Sequence, residues 1–172
     1  MTALKLAVAS AEAGQVLSYS GGIWQNASVV PLAVEKLDGA VLAAADPIFT
    51  VTGGPVLAQI YGIVTTAIVG ASNLRLTHTT TVPSATVNLN AGAVAVDDDA
   101  AGTLYYNVGA TSVFTPVTGG VKILDPVTVE PAWFVLPVGT TNCLGSAARV
   151  GVIAWYMRYV PLSPNSLVEA AA

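Results

Sequence analysis

Hydrophobic and polar residues alternate along two long segments of the chain, and this alternation is the pattern of β-strands. Segment 56–69 carries apolar residues at one parity, namely Val56, Ala58, Ile60, Val64 and Ile68. Its other parity is also largely apolar, so we expect both faces of this strand to be covered. Segment 149–162 places four large residues on one face, namely Ile153, Trp155, Met157 and Tyr159. We expect the two segments to share one sheet system.

Shorter segments between glycine and proline signals complete the predicted strand set. Segment 48–52 is β-branched and aromatic, and Gly53-Gly54-Pro55 should turn it back as a hairpin with the strand that starts at Val56. Segment 73–80 alternates, with Leu74, Leu76 and His78 on one side. Residues 139–148 are small and predict a loop. Turn signals at intervals of roughly 8 to 12 residues predict an all-β fold, an antiparallel sandwich or barrel.

The first 45 residues differ from the rest and predict an extended N-terminal arm. Residues 14–27 should form a small hairpin that turns at Gly21-Gly22. Residues 31–45 predict a turn or two of helix, which Gly39 weakens. We therefore expect an arm at 1–45, a β-sandwich or barrel domain at 46–162 and a C-terminal tail at 163–172.

The composition narrows the class of protein. Charged residues make up 9% of the 172 residues, far below the share in ordinary soluble domains, while hydrophobic residues make up 53%. Such a chain has little charge with which to cover its own surface, which indicates burial against copies of itself or a larger partner. The six basic residues are scattered and the net charge is −4, which argues against nucleic acid. The longest apolar run is too short for a membrane-spanning helix, so we expect no membrane insertion.

Residues with catalytic or metal-binding chemistry are few and isolated. His78 is the only histidine and Cys143 the only cysteine, and neither has partners at catalytic or ligand spacing, so we expect both to be structural. Asp97-Asp98-Asp99 lacks the calcium-loop pattern and predicts a solvated loop tip, although it leaves a cation site open. We predict no enzyme activity, no metal and no cofactor.

Aromatic residues with few charges around them are typical of interface cores. The candidates for contact with a partner are Trp24, Tyr61, Trp133, Tyr156 and Tyr159. Each aromatic residue of this kind also suits the core of the domain itself, and the sequence leaves that choice open.

Five segments in this order resemble a family of tailed-bacteriophage virion structural proteins. They are Phe49 to Leu57, Gly62 to Thr66, Asn73 to Leu76, Gly102 to Tyr106 and Gly151 to Leu162. The resemblance covers about 46–165. It implies either a head decoration, or cement, protein or a tail-associated protein. We favour the decoration protein, and expect it to form a homotrimer, to bind the major capsid protein on the outer surface of the head and to be made in the host cytoplasm. The family provides no catalytic residues to place on this chain.

A second resemblance favours an alternative position in the particle. Residues 14–27 are similar to short Gly-x-Val-Leu and Gly-x-x-Trp units of phage tail fibres. This likeness implies a tail or fibre structural protein involved in host attachment.

Overall fold

The computed structural model describes residues 15–20, 23–28, 32–41, 44–90, 93–108, 113–114 and 133–172. Every regular element in these ranges is a β-strand, which confirms the all-β class. The strands are β1 (Gln15–Ser20), β2 (Ile23–Ser28), β3 (Leu32–Val41), β4 (Ala45–Thr52), β5 (Val56–Val69), β6 (Asn73–Thr80), β7 (Ala85–Asn88), β8 (Val94–Ala95), β9 (Leu104–Val108), β10 (Val113–Phe114), β11 (Phe134–Leu136), β12 (Gly139–Gly145), β13 (Arg149–Pro161) and β14 (Leu167–Ala170).

The chain divides into two compact units, Met1–Leu32 and Ala33–Ala172. In the first unit, β1 and β2 pair antiparallel, with Ser20 opposite Ile23 and Tyr19 opposite Trp24. This pairing confirms the small hairpin predicted for residues 14–27.

The second unit holds two antiparallel six-stranded sheets, consistent with a β-sandwich. The first sheet has the order β10-β9-β5-β13-β3, and β11 also pairs with β5. The second sheet has the order β14-β4-β12-β6-β7, and β8 also pairs with β6. The strands predicted at 56–69 and 149–162 are direct neighbours in the first sheet, as expected.

Trp155 is the centre of the first sheet's inner face. It is fully buried, together with its predicted face partners Ile153 and Met157. A glycine in each of the two neighbouring strands leaves room for the indole of Trp155. A Cβ atom built on Gly62 of β5 would lie 2.7 Å from Cζ3 of Trp155, and one built on Gly39 of β3 would lie 2.6 Å from Cδ1. The indole therefore needs both glycines to pack flat against the sheet.

The second sheet corrects the prediction of a loop at 139–148. Residues 139–145 form β12, which pairs with β4 on one side and β6 on the other. Short side chains fit here because the strand is crowded: a Cβ atom on Gly139 would lie 2.2 Å from the carbonyl oxygen of Thr79. The small side chains of these residues do not indicate a loop. In this position they permit close approach of neighbouring strands.

The hairpin predicted at Gly53-Gly54-Pro55 is also wrong, because β4 lies in the second sheet and β5 in the first. Gly53 adopts the positive φ that was expected, at 70°. A Cβ atom on Gly53 would lie 1.8 Å from the carbonyl oxygen of Asn165. Gly53 therefore allows the connection from β4 to β5, which crosses from one sheet to the other, to pass close to the segment before β14.

The ends of the chain differ from the expected arm and tail. Residues 32–41 form the edge strand β3 of the first sheet, where a short helix was predicted. Gly39 of β3 leaves room for the indole of Trp155. Residues 167–170 of the predicted tail form β14, which pairs with β4. Both segments thus belong to the sandwich, and the unit boundary falls after Leu32 instead of after residue 45.

None of the described residues belongs to a helix with the length and apolar character that crossing a membrane requires.

Candidate interaction surface

The outer face of the first sheet collects aromatic and aliphatic side chains in rows that run across the strands. Cross-strand neighbours point to the same side of a sheet. Tyr61 lies opposite Tyr156 of β13 and opposite Tyr106 of β9. Leu57 lies opposite Val160 of β13 and opposite Val135 of β11. Two rows of apolar residues therefore cross β5.

Part of this face remains exposed in the single chain. Val135 is 63% exposed, and Trp133, which directly precedes β11, is 39% exposed. Leu57, Tyr61, Tyr156 and Val160 are half-buried, and Tyr106 is buried. We name this surface the aromatic face and define it by Leu57, Tyr61, Trp133, Val135, Tyr156 and Val160. Exposed Trp and Val side by side favour contact with a partner.

A polar pair, Arg158 and Gln59, lies between the two apolar rows of the aromatic face. Arg158 is exposed and lies opposite Gln59, and the Tyr61 hydroxyl donates a hydrogen bond of 3.1 Å to Oε1 of Gln59. Burial raises the pKa of Tyr61, and the nearby Arg158 guanidinium offsets part of that rise, so the phenol is neutral at physiological pH. Glu35 and Tyr156 line a recess of about 380 Å³ at the β3 side. The aromatic face therefore combines two apolar rows with a polar pair between them and a carboxylate at its β3 side.

The structure brings together three of the five aromatic residues predicted to contact a partner. Tyr61, Trp133 and Tyr156 all belong to the aromatic face. Tyr159 lies on the inner face with Trp155 and is only 3% exposed, so within this chain it is a core residue. Trp24 lies in β2 of the first unit.

The sequence reasoning did not single out Leu57, Val135 and Arg158 as surface contacts. Leu57 was placed on the correct face of its strand, opposite to Val56 and Ala58. The expected full burial of that face is not seen in the single chain, since Leu57, Tyr61 and Ile63 are half-buried and Val69 is 62% exposed. Val135 carries no sequence signal of its own. Only the pairing of β11 with β5 shows which side of the sheet it occupies.

His78 is held inside the second sheet by two hydrogen bonds. Its Nε2 lies 3.0 Å from the carbonyl oxygen of Pro137, which can only accept, so Nε2 carries the proton. Nδ1 then accepts from the Thr141 hydroxyl at 3.0 Å. Burial lowers the pKa of His78, and the bond to Pro137 offsets part of that fall. The ring is a neutral, oriented part of the core, as expected of a structural histidine.

Cys143 is fully buried, and this burial raises the pKa of its thiol. A buried, protonated thiol offers a substrate no nucleophile. Within the described residues, no group of three or more His, Cys, Asp or Glu side chains is placed to hold a metal ion.

Two of the three consecutive aspartates accept hydrogen bonds from the connection between β5 and β6, and the third accepts one from β9. Asp98 accepts a hydrogen bond of 2.7 Å from the backbone N–H of Gly70, and Asp97 accepts one of 3.1 Å from that of Ser72. Asp99 accepts a hydrogen bond from the buried Tyr105 hydroxyl. The carboxylates therefore have structural partners, which the sequence interpretation of a solvated loop tip did not include.

No protein-family model, curated protein or solved structure matches this chain.

Proposed function

We propose that this protein is a bacteriophage capsid decoration protein, a homotrimer that binds the major capsid protein on the outer surface of the head and stabilises its lattice. One observation carries the proposal most strongly. A chain with only 9% charged residues presents an apolar, aromatic sheet face. The resemblance of five ordered segments to virion structural proteins supports the same class.

The aromatic face is proposed as the contact between copies. Interfaces that hold permanent assemblies are more apolar than transient ones, and Trp, Tyr and Arg are the residues that contribute most to binding when buried at their centre. Trp133, Tyr61 and Arg158 have this composition. A second copy of the chain would cover the exposed Val135 and Trp133 side chains.

Trimerisation explains how such a small protein could stabilise a large shell. A ligand that binds only the mature lattice stabilises it by mass action. Three linked copies each contact the shell, so the second and third contacts form at high effective concentration. Separate copies would lose this advantage and dissociate from the head.

The test is co-sedimentation of the purified protein with DNA-filled heads and, separately, with detached tails of the same particle. The proposal predicts saturable binding to heads at a fixed ratio to capsid subunits, with added resistance of the heads to heat. Binding to tails alone contradicts it.

A tail or fibre protein involved in host attachment is the second candidate, and the separate hairpin unit favours it. Tyr19 and Trp24 are cross-strand partners in β1 and β2. Trp and Tyr are residue types that contribute strongly to binding. Trp24→Ala should abolish binding to tails or cells if this candidate is correct. The same substitution should leave head binding unchanged if the decoration proposal is correct and the aromatic face carries the assembly.

A further inference from the structure

The outer surface of the second sheet contains a recess of about 260 Å³ that the proposed function does not use. It lies where β6 meets β12, and Leu144 is the cross-strand partner of Arg75. Its lining consists of Asn73, Arg75, Ala93, Leu144, Gly145 and Ser146. Among the described residues, this lining contains one cationic side chain and no carboxylate.

Arg75 has an unused hydrogen-bond donor. Its Nε is buried and has no hydrogen-bond partner among the described residues. A buried donor on a charged group is costly when it has no partner. Arg149 shows the usual arrangement: its Nε donates to the carbonyl oxygen of Ala71 at 2.8 Å and its Nη1 to that of Ala148 at 3.1 Å.

Ser146 adds a second donor to the same recess. Its Oγ accepts a hydrogen bond of 2.9 Å from the backbone N–H of Asn73, so the hydroxyl hydrogen is available to donate elsewhere. The Nε and one Nη of a guanidinium form a planar pair of donors that matches the two oxygens of a carboxylate.

From the unpaired Arg75 Nε, the Ser146 hydroxyl and the absence of any acid in the lining, we propose that this recess is a carboxylate-binding site. Arg75 binds the two carboxylate oxygens side-on, and Ser146 donates to one of them. The ligand is either a free small carboxylic acid or the side chain of an Asp or Glu residue of another protein. The recess lies on the sheet opposite to the aromatic face, so the site does not depend on the proposed function.

The site is tested by NMR titration of the intact protein, with the Nε–H signals of its three arginines observed separately. Sodium acetate, succinate and capped glutamate (N-acetyl-glutamate N-methylamide) are added in turn, and sodium chloride at equal ionic strength serves as the control. The proposal predicts a saturating shift at Arg75 with the carboxylates, small shifts at Arg149 and Arg158, and none of comparable size with chloride. Equal shifts at all three arginines, or the same shift with chloride, would overturn it.

Two variants make the test specific. Arg75→Lys keeps the charge and removes the planar donor pair, so carboxylate affinity, followed at the backbone amides of Asn73 and Ser146, should fall at least about tenfold. Arg149→Lys is the matched control and should bind as the unmodified protein does. Retained affinity in a folded Arg75→Lys variant contradicts the proposal.

The ligands also separate the two sources of the carboxylate. Tighter binding of capped glutamate than of acetate or succinate supports a protein side chain as the ligand. Tighter binding of succinate supports a free dicarboxylic acid. Absence of saturable binding by all three carboxylates rejects the site.

Discussion

Within the part of the chain that the structure describes, the two sheets of the sandwich have the same number of strands and very different outer faces. The first presents the aromatic face. The second presents a row of threonines across four neighbouring strands, formed by Thr50, Thr140, Thr79 and Thr86. The hydroxyls of Thr79 and Thr86 lie 3.0 Å apart. Hydroxyl groups exchange hydrogen bonds readily with water, whereas Trp and Val do not. The low charge of the chain therefore corresponds to apolar side chains on the outer face of the first sheet and to hydroxyl groups on that of the second. Among the described residues, the aromatic face is the surface that we consider suited to a lasting contact.

The inner faces of the two sheets also differ in polarity. The first sheet buries the large apolar surface of Trp155 between two glycines. The second sheet buries a polar pair, His78 and Thr141, whose stability depends on hydrogen bonds. Substitutions in the first sheet should therefore act through packing, and those in the second through unpaired polar groups and pH.

The largest effect is expected for Trp155→Ala. Loss of this fully buried side chain should lower the free energy of unfolding by about 3–5 kcal/mol, since the rigid strands around it cannot collapse into the space. Denaturant unfolding measures this change. Gly62→Ala should destabilise the parent protein through its contact with the indole, and should cost much less in the Trp155→Ala background. Equal cost in both backgrounds would contradict the proposed packing.

A smaller effect is expected for Thr141→Val in the second sheet. The substitution keeps the shape of the side chain and removes the donor to Nδ1 of His78, leaving a buried acceptor unpaired. The free energy of unfolding should fall by about 1–3 kcal/mol. Thr140→Val, one residue earlier on the outer face, is the matched control and should change it by no more than about 0.5 kcal/mol. Similar losses of stability in the two variants would show that the hydrogen bond between Thr141 and His78 does not account for the effect.

The pH dependence of stability should be the smallest of these effects and should come from the second sheet. The unfolded chain protonates His78 near 6.5, whereas burial keeps the pKa of the folded chain lower. The unfolded state therefore binds more protons as pH falls below that value, and stability declines, by no more than about 1.4 kcal/mol per pH unit.

Denaturant unfolding from about pH 7.5 to about pH 5.5 measures this decline above the range in which carboxylates usually titrate. His78→Gln, which lacks a titrating group, should show a flatter curve. Parallel curves would assign the pH dependence to other residues.

Strands with strong alternation could be predicted from the sequence, and those with small or charged residues could not. The strands β5, β6 and β13 were predicted because large apolar residues mark one parity of each. The strand β12 was missed because Gly139, Thr141 and Cys143 resemble loop residues until the neighbouring strands are known. The strand β3 was missed because residues 31–45 were interpreted as a turn or two of helix. Gly39, which weakened that interpretation, leaves room for the indole of Trp155.

The candidate surface was predictable only in part. Aromatic composition identified Tyr61, Trp133 and Tyr156, but their meeting on one face depends on the register of β11 and β13 against β5, which no local pattern encodes. Tyr159 shows the opposite case. Tyr159 lies four residues after Trp155 in β13, and strand alternation therefore already predicted that it lies on the inner face. For Tyr159, strand alternation predicted the location better than residue type did.

The central claim, that the aromatic face joins copies of this chain, is tested most directly by sedimentation velocity of two matched variants. Val135→Glu places a charge on the aromatic face at an exposed position, where it should leave the fold intact. Thr86→Glu places the same charge on the exposed end of the threonine row. The account predicts that the unmodified protein and Thr86→Glu sediment as trimers and that Val135→Glu sediments as a monomer with an unchanged circular dichroism spectrum. A monomeric unmodified protein, or a trimeric Val135→Glu variant, would contradict it.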